Sequence, residues 1–346
     1  MTGSLLYGIP VSKDAFDFYK AFFDTGILYR NQACLNFDCI GHLFLLYNIG
    51  KEYRIGECMQ KFLTLKKYHG LGNDYLVLDP NKNEIRMQER HIVRMCRRNI
   101  GVGADGILYG PLMEQGKIYV KIFNPDGSEA ERSGNGVRIF AKYLLDEGYI
   151  KREPFVLTTK AGDVGIEFLS EDGSRMRVNM GQARFAGAPL PRIKKRDGSL
   201  VTDEIVNEPL IFHDSLYNAT CVSMGNPNCV LMMEEVNDKK AKALGPYVEN
   251  APYFPQRINM QLCHVIDRRH IQVEIYERGA GYTLASGTGA CAAAAAAYRM
   301  GLTDADICVE MPGGDLRVEI ADDMTVYLTG EVEKIASIEV AENFFA

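Results

Sequence analysis

From residue 61 onward, short apolar or β-branched runs alternate with helical patterns. Runs such as Tyr75–Leu78, Ile118–Phe123 and Ile271–Tyr276 are bounded by polar turns and predict strands. Six further strands are predicted at Phe155–Thr158, Ala219–Ser223, Cys229–Met233, Ile307–Glu310, Leu316–Ile320 and Thr325–Thr329. Helices are predicted at Arg86–Asn99, Asn135–Glu147 and Ala290–Arg299. This alternation indicates a mixed α/β (α+β) chain.

The first 60 residues differ from the rest because they are rich in aromatic side chains and contain no polar motif that indicates chemistry. Two short helices, Ala15–Phe23 and His42–Tyr47, are predicted there, and residues 1–60 are interpreted as a helical extension of unknown role. A looser stretch around Pro189 and Pro191 predicts a junction. The remaining chain is therefore divided into two domains, residues 61–188 and 189–346.

A short motif occurs twice, about 150 residues apart, which is a typical domain length. Ser133-Gly134-Asn135-Gly136 opens one predicted helix, and Ser286-Gly287-Thr288-Gly289 opens another. Each motif follows a strand and a polar turn. We expect two similar domains whose Ser-Gly-x-Gly turns face each other across a cleft.

The repeated turn indicates an anion site. A Gly-x-Gly turn at a helix N-terminus exposes free backbone N–H groups and the positive end of the helix dipole, which suits a carboxylate or phosphate. Two facing turns can hold one carboxylate from both sides. Ser133 and Ser286 would then flank the carbon attached to that carboxylate. Such a geometry is suited to removing a proton from one face and returning it to the other.

The composition of the chain argues against several classes of function. The net charge of −6 argues against a general nucleic-acid or anionic-membrane binder, and no apolar run is long enough for a membrane helix. The nine cysteines are odd in number and contain no CxxC pair, so we expect reduced thiols, no metal site and a cytoplasmic location. Neither a dinucleotide fingerprint nor a phosphate-binding lysine loop is present.

Six segments in sequence order resemble the diaminopimelate epimerase family, over about residues 61 to 340. They are Lys67–Asp79 (KYHGLGNDYLVLD), Arg98–Leu108 (RNIGVGADGIL), Phe123–Arg138 (FNPDGSEAERSGNGVR), Ser223–Val230 (SMGNPNCV), Phe254–Asn259 (FPQRIN) and Tyr276–Ala292 (YERGAGYTLASGTGACA). The resemblance implies two pseudo-symmetric domains, each a mixed sheet or barrel wrapped around a central helix.

The resemblance also implies a reaction, the interconversion of LL- and meso-diaminopimelate in lysine and cell-wall precursor synthesis. Two cysteines exchange the α-proton without pyridoxal phosphate, any other cofactor or a metal. The implied partner is a small amino-acid substrate, and a homodimer is compatible with the family. The two cysteine positions are Ser133 and Ser286 here. An acidic partner of the second base is kept as Glu277, whereas a histidine that supports the first base is replaced by Asn228.

Most of the residues that contact the substrate in the family are identical in this sequence. The distal amino-acid group is implied to bind Asn124, Asn226, Asn259 and Arg278, with Asn73 as another contact. The reacting carboxylate is implied to bind Gly134, Asn135, Gly287 and Thr288. Two further positions depart from the family, because Gly106 stands where glutamine is frequent and Tyr282 stands for a glutamate.

The two serines change the expected chemistry. A thiol titrates near pH 8.5, whereas a serine hydroxyl has no accessible anion and needs an adjacent base. We therefore expect impaired proton transfer. Three explanations are compatible with the sequence: two deliberate Cys→Ser changes, an inactive paralogue that acts as a binding or assembly partner, or racemisation or dehydration of another amino acid with Glu277 as the main base. A plain amino-acid binding module is a further alternative.

Overall fold

The computed structural model describes residues 63–345, except residues 86, 132, 188–189 and 191–203. The predicted helical extension at residues 1–60 lies outside the described residues. The predicted domain boundary at residues 188 and 189 also lies outside them and stays a prediction. None of the helices in the described part is long and apolar enough to cross a membrane.

In the residues that the structure describes, the first half contains eight strands and two helices. The strands are β1 Leu63–Gly70, β2 Asn73–Leu78, β3 Ile107–Glu114, β4 Lys117–Phe123, β5 Glu129–Ala130, β6 Phe155–Thr159, β7 Gly162–Phe168 and β8 Arg175–Gln182. The helices are α1 Glu89–Cys96 and α2 Gly134–Asp146.

The described part of the second half contains ten strands, two helices and a final 3₁₀ turn. The strands are β9 Glu208–Phe212, β10 Ser215–Ser223, β11 Pro227–Met232, β12 Asn259–Val265, β13 His270–Glu277, β14 Gly281–Thr283, β15 Asp306–Met311, β16 Gly314–Ile320, β17 Thr325–Glu331 and β18 Glu333–Val340. The helices are α3 Asp238–Glu249 and α4 Gly287–Arg299, and the 3₁₀ turn is Glu342–Phe345.

All nine predicted strands are present, with ends that differ by a few residues. The helix predicted over Arg86–Asn99 is shorter in the structure because the backbone at Arg97 is extended. Helix α3 was not predicted, although Asn237 caps it by accepting a hydrogen bond from the backbone N–H of Lys240 at 2.9 Å.

The strand order is the same in both halves. In the first half β1 pairs antiparallel with β2, β2 parallel with β3, β3 antiparallel with β4, β4 parallel with β6, and β7 antiparallel with β6 and β8. The second half repeats this order with β10, β11, β12, β13, β15, β16 and β17. This duplication confirms the predicted mixed fold of two pseudo-symmetric halves.

Two ladders join the halves into one continuous sheet. Strand β8 pairs with β17, and the C-terminal strand β18 returns to pair with β1. Helices α2 and α4 lie at the centre of the largest apolar cluster, which contains residues of both halves. Every residue of α4 from Gly287 to Ala297 is buried, because its alanines are small enough to let sheet and helix pack closely. The sheet therefore surrounds two central helices whose N-termini can meet.

Candidate functional site

The two Ser-Gly-x-Gly turns meet at their first glycines. A Cβ atom placed on Gly134 would lie 3.1 Å from the Cα of Gly287, and one placed on Gly287 would lie 3.1 Å from the Cα of Gly134. Any side chain at either position would press on the opposite backbone. The N-termini of α2 and α4 thus lie next to each other, and their free N–H groups and dipoles create a region suited to a bound anion.

Ser133 caps α2. Its Oγ accepts hydrogen bonds from the backbone N–H of Gly136 at 3.0 Å and from the hydroxyl of Tyr75 at 3.1 Å. Tyr75 comes from β2 and is 7% exposed, and burial raises the pKa of its hydroxyl, with the carboxylates of Glu277 and Asp105 adding to the effect. The phenol is therefore neutral and acts as a donor at this site.

Ser286 caps α4 in the same way. Its Oγ accepts a hydrogen bond from the backbone N–H of Gly289 at 3.3 Å and lies 3.4 Å from Oγ1 of Thr288. The same Oγ1 of Thr288 accepts a hydrogen bond from the side-chain amide of Asn226 at 3.3 Å. Two of the residues implied by the family resemblance, Asn226 and Thr288, are thereby brought to the second serine.

Glu277 ends β13 beside this second turn and is half-buried. Burial raises the pKa of its carboxyl, although the nearby hydroxyls of Ser286 and Thr283 act in the opposite direction by favouring the charged form. The negative charge of Asp105 raises the pKa further. A carboxylate with a raised pKa is a stronger base than an ordinary one, which suits Glu277 to accept a proton.

A series of hydrogen-bonded side chains supports the first Ser-Gly-x-Gly turn. The guanidinium of Arg138 donates to Oδ1 of Asn135 at 2.6 Å and to the carbonyl of Gly134 at 3.2 Å. The amide of Asn135 donates to Oδ1 of Asn73 at 3.1 Å, and the amide of Asn73 donates to Oδ2 of Asp105 at 2.9 Å. This chain orients two of the predicted substrate residues, Asn73 and Asn135.

Arg138 is an unusual member of this chain. It has no exposed surface, and within the described part of the molecule its Nε lacks a hydrogen-bond partner. Burial lowers the pKa of its guanidinium to about 10. The side chain therefore places a desolvated positive charge under the first anion-binding turn, which favours a negative ligand there.

Asn228 is fully buried on β11. Its amide donates to the carbonyl and to Oδ1 of Asn226, at 2.9 and 3.1 Å, and its Oδ1 accepts from Nε2 of Gln261 at 3.1 Å. These contacts hold the turn at Asn226 on the side of the second serine. The hydroxyl that contacts Ser133 comes instead from Tyr75.

The residues that the family resemblance implies for the distal end of the substrate come from both halves of the chain. Asn259 donates to the carbonyl of Pro227 at 2.8 Å and accepts from the backbone N–H of Arg278 at 2.9 Å. The guanidinium of Arg278 is exposed, with one hydrogen bond to the carbonyl of Gln256 at 3.2 Å. Asn124 lies in the turn of the first half. The structure thus places Asn259 and Arg278 side by side, with the arginine open to a ligand.

Tyr282, which stands where the resemblance implies a glutamate, contacts β13 and α3. Its hydroxyl donates to the carboxylate of Glu274 at 2.7 Å, and the ammonium of Lys242 lies 4.5 Å from its ring centre. The side chain therefore adds no polar group to the two serine turns.

This geometry agrees with comparisons to known proteins. The chain matches the family described as diaminopimelate epimerase over residues 65–186 and 220–335. It belongs to the diaminopimelate epimerase family. Its relatives include diaminopimelate epimerase 2 of Nostoc sp., which is 42% identical over 81% of this chain and 96% of that protein. Diaminopimelate epimerase of Moorella thermoacetica is 37% identical over 78% of this chain and 96% of that protein.

Solved structures agree on the fold. A probable proline racemase from Agrobacterium radiobacter aligns with a TM-score of 0.59 at 14% identity, over 81% of this chain and 93% of that chain. A hydroxyproline epimerase from Agrobacterium vitis aligns with a TM-score of 0.59 at 13% identity, over 82% and 94%. Membership of the diaminopimelate epimerase family makes the protein an isomerase by relationship.

Four residues at this site were not predicted from the sequence, namely Tyr75, Asp105, Arg138 and Gln261. Tyr75, Asp105 and Arg138 lie inside segments that resemble the family. A signal for Tyr75 was its place two residues after Asn73, which matches the place of Asn228 after Asn226. No such signal exists for Gln261, because its contact with Asn228 depends on the parallel pairing of β11 and β12.

Proposed function

We propose that this protein binds diaminopimelate between its two serine-capped helices and interconverts the LL and meso forms by two-base α-proton transfer, without pyridoxal phosphate. In this chain the interconversion is impaired, because serine stands at both positions where the family resemblance implies a cysteine. The observation that supports this most strongly is the meeting of the two turns at Gly134 and Gly287. A carboxylate held there receives N–H groups from both helices, and Ser133 and Ser286 flank the carbon next to it.

The polar residues around the turns support an amino-acid substrate with two ends. The exposed guanidinium of Arg278 is suited to a second carboxylate, since arginine binds carboxylates in a bidentate manner. Asn259 is fixed by two hydrogen bonds beside it. We expect the distal carboxylate and ammonium groups to bind here, and the reacting carboxylate to bind at the two helix N-termini.

The serines lower the rate of interconversion, whereas they leave the affinity for the substrate nearly unchanged. A serine hydroxyl cannot supply the thiolate that the two-base reaction uses, whereas a thiol at a helix N-terminus ionises more easily. Restoration of both thiols by Ser133→Cys/Ser286→Cys should therefore produce interconversion, with substrate affinity changed little. The matched control is Ser215→Cys/Ser337→Cys, which adds two thiols at exposed positions outside the cleft.

The experiment follows each variant with LL-diaminopimelate by chiral separation of the products. Formation of the meso isomer by the cleft double variant alone supports the proposed function. If neither double variant produces the meso isomer, although both bind diaminopimelate, the proposed reaction is wrong and the cleft acts as a binding site. Loss of binding in both variants would exclude diaminopimelate as the ligand.

A further inference from the structure

Arg138 is buried under the first Ser-Gly-x-Gly turn, and it has the largest of the fully buried side chains among the described residues. Two glycines leave room for its guanidinium. A Cβ atom on Gly330 of β17 would lie 3.0 Å from Cζ of the arginine, and one on Gly70 of β1 would lie 3.5 Å from Nη2. An arginine is almost never fully buried unless its charge is paired. The fold thus provides space for a charge that needs a partner.

Among the residues that the structure describes, this partner is not a carboxylate. The guanidinium donates to two neutral oxygens, the carbonyl of Gly134 and Oδ1 of Asn135, at 3.2 and 2.6 Å. Its Nε has no hydrogen-bond partner within the same residues. The titratable side chain whose charge acts on the guanidinium is the thiol of Cys291, on α4. Neutral dipoles therefore stabilise the positive charge, and an anion bound nearby would be its counter-charge.

The contact with the carbonyl of Gly134 connects Arg138 to the place where an anion would bind. This carbonyl and the backbone N–H of Asn135 belong to the same peptide unit. The N–H of Gly136 donates to Oγ of Ser133, whereas the two N–H groups before it have no acceptor within the helix and remain for a ligand. Hydrogen bonds in series polarise one another. The bond from Arg138 therefore makes the N–H of Asn135 a stronger donor to an anion.

The contact with Oδ1 of Asn135 fixes the direction of two side-chain amides. An arginine can only donate, and an ionised carboxylate can only accept. Between Arg138 at one end and Asp105 at the other, the amide of Asn135 donates to Asn73 at 3.1 Å and the amide of Asn73 donates to Asp105 at 2.9 Å. Each amide thus turns its oxygen toward the arginine. Arg138 orients both side chains beside the first turn.

The second turn has no such charge beneath it. Arg138 and Cys291 each stand five residues after the serine that caps their helix. Because α2 and α4 are counterparts in the duplicated fold, Cys291 occupies the place of Arg138 in the second half. It is also fully buried, but a thiol carries no permanent positive charge. The two turns therefore have similar backbones and different charges behind them.

We propose that Arg138 is a positioning residue that makes the first turn the stronger of the two anion sites, and that the carboxylate bound there is the counter-charge of its guanidinium. The inference rests on the proposed function for the identity of the ligand. Arg138 has no exposed surface, so it acts through the Gly134–Asn135 peptide and the side chain of Asn135.

Two substitutions separate the charge of Arg138 from its hydrogen bonds. Arg138→Gln removes the charge and keeps an amide that can donate to Asn135. Arg138→Lys keeps the charge only while the lysine is protonated, and burial lowers the pKa of a lysine. The matched controls are Arg268→Gln and Arg268→Lys, since Arg268 pairs with Asp304 at the surface at 2.7 Å.

The experiment measures the affinity for sulfate and for diaminopimelate by titration calorimetry between pH 5 and 9. Sulfate keeps its charge over this range. The unaltered chain also keeps the charge of Arg138, because the pKa of the guanidinium is about 10. Each affinity is divided by that of the unaltered chain at the same pH, so that the titration of other groups, Cys291 included, cancels.

Arg138→Gln should weaken both ligands about 10- to 100-fold at every pH, and the Arg268 variants should not. Arg138→Lys should bind nearly as well as the unaltered chain at the low end of the range and approach Arg138→Gln as the pH rises. This variant is compared with itself at two pH values, so the result does not depend on the folding of Arg138→Gln. Unchanged affinity in Arg138→Gln, or an affinity of Arg138→Lys that does not change with pH, would overturn the proposal.

The two ligands separate this inference from the proposed function. If sulfate binding depends on the charge at residue 138 but diaminopimelate does not bind, the anion site is supported and the proposed function fails. If diaminopimelate binds equally well to the unaltered chain and to Arg138→Gln, the role of Arg138 is refuted while the proposed ligand is supported. If neither ligand binds, both proposals fail.

Discussion

The ring of Tyr75 lies against the backbone of Gly106, so that a Cβ atom at Gly106 would be 2.6 Å from Cε1 of the tyrosine. The same Cβ atom would be 2.5 Å from the carbonyl oxygen of Phe123. Both distances are shorter than a carbon atom tolerates. The absence of a side chain at this position, where glutamine is frequent in the family by resemblance, is therefore what allows Tyr75 to reach Ser133.

Gly106→Ala should displace the tyrosine ring and the neighbouring strand. We expect a loss of about 1–3 kcal/mol in the free energy of unfolding, as for other overpacked sites, measured by urea denaturation. Gly165→Ala is the control, since a Cβ atom there would meet its nearest neighbour at 3.8 Å. Equal urea denaturation midpoints for the two variants would mean that the backbone around Gly106 accommodates the methyl group without loss of stability.

Gly134→Ala tests the contact between the two helix N-termini. The added methyl group would lie 3.1 Å from the Cα of Gly287 and 3.3 Å from the methyl carbon of Met180. The helices must separate by a few tenths of an ångström, so the two anion-binding turns no longer match one carboxylate. We expect diaminopimelate affinity, measured by titration calorimetry, to fall about tenfold, which corresponds to about 1.4 kcal/mol. An affinity equal to that of Gly165→Ala would show that the ligand does not bind between the turns.

Tyr282→Phe should affect stability without affecting the ligand. The tyrosine hydroxyl is the donor to Glu274, which is 5% exposed, so its removal leaves a buried carboxyl group without this partner. We expect the free energy of unfolding to fall by about 1–3 kcal/mol, with diaminopimelate affinity unchanged. A lowered affinity in Tyr282→Phe would contradict the orientation of Tyr282 toward α3.

The sequence was sufficient to predict the duplicated part of the structure. The two Ser-Gly-x-Gly motifs are local signals, because the serine, the glycines and the helix that follows lie within a few residues. Ser133 and Ser286 therefore occupy the predicted caps of α2 and α4. The strands were predicted for the same reason, since short apolar or β-branched runs bounded by polar turns are also local signals.

Contacts between distant segments were not predictable from such signals. Tyr75 and Ser133 are 58 residues apart in the chain, and their hydrogen bond depends on the packing of β2 against α2. The desolvation of Arg138 has the same origin, because an arginine in a helical pattern is ordinarily exposed. Helix α3 was missed because Gly245 and Pro246 lie inside it and weaken its pattern.

The ion pairs of Asp74 make the stability of the fold depend on pH. Its side chain is 9% exposed, with the ammonium of Lys67 at 2.8 Å and the guanidinium of Arg98 at 2.7 Å. Burial alone would raise the pKa of Asp74, but the hydrogen bonds and charges of Arg98 and Lys67 outweigh it and hold the pKa below the ordinary 3.8. A carboxyl whose pKa is lower in the folded state stabilises the fold above its unfolded pKa. That stabilisation is lost as the pH falls through the folded pKa.

Asp74→Asn should therefore lower the free energy of unfolding by about 1–3 kcal/mol at pH 7, and the difference from the unaltered chain should shrink below pH 3.8. Urea denaturation at pH 7, 5 and 3 measures this. Asp163→Asn is the matched control, because Asp163 pairs with Lys117 at the surface and its loss should leave the free energy nearly unchanged. A difference between Asp74→Asn and the unaltered chain that is undiminished at pH 3 would mean that Asp74 stabilises the fold by packing, independently of its charge.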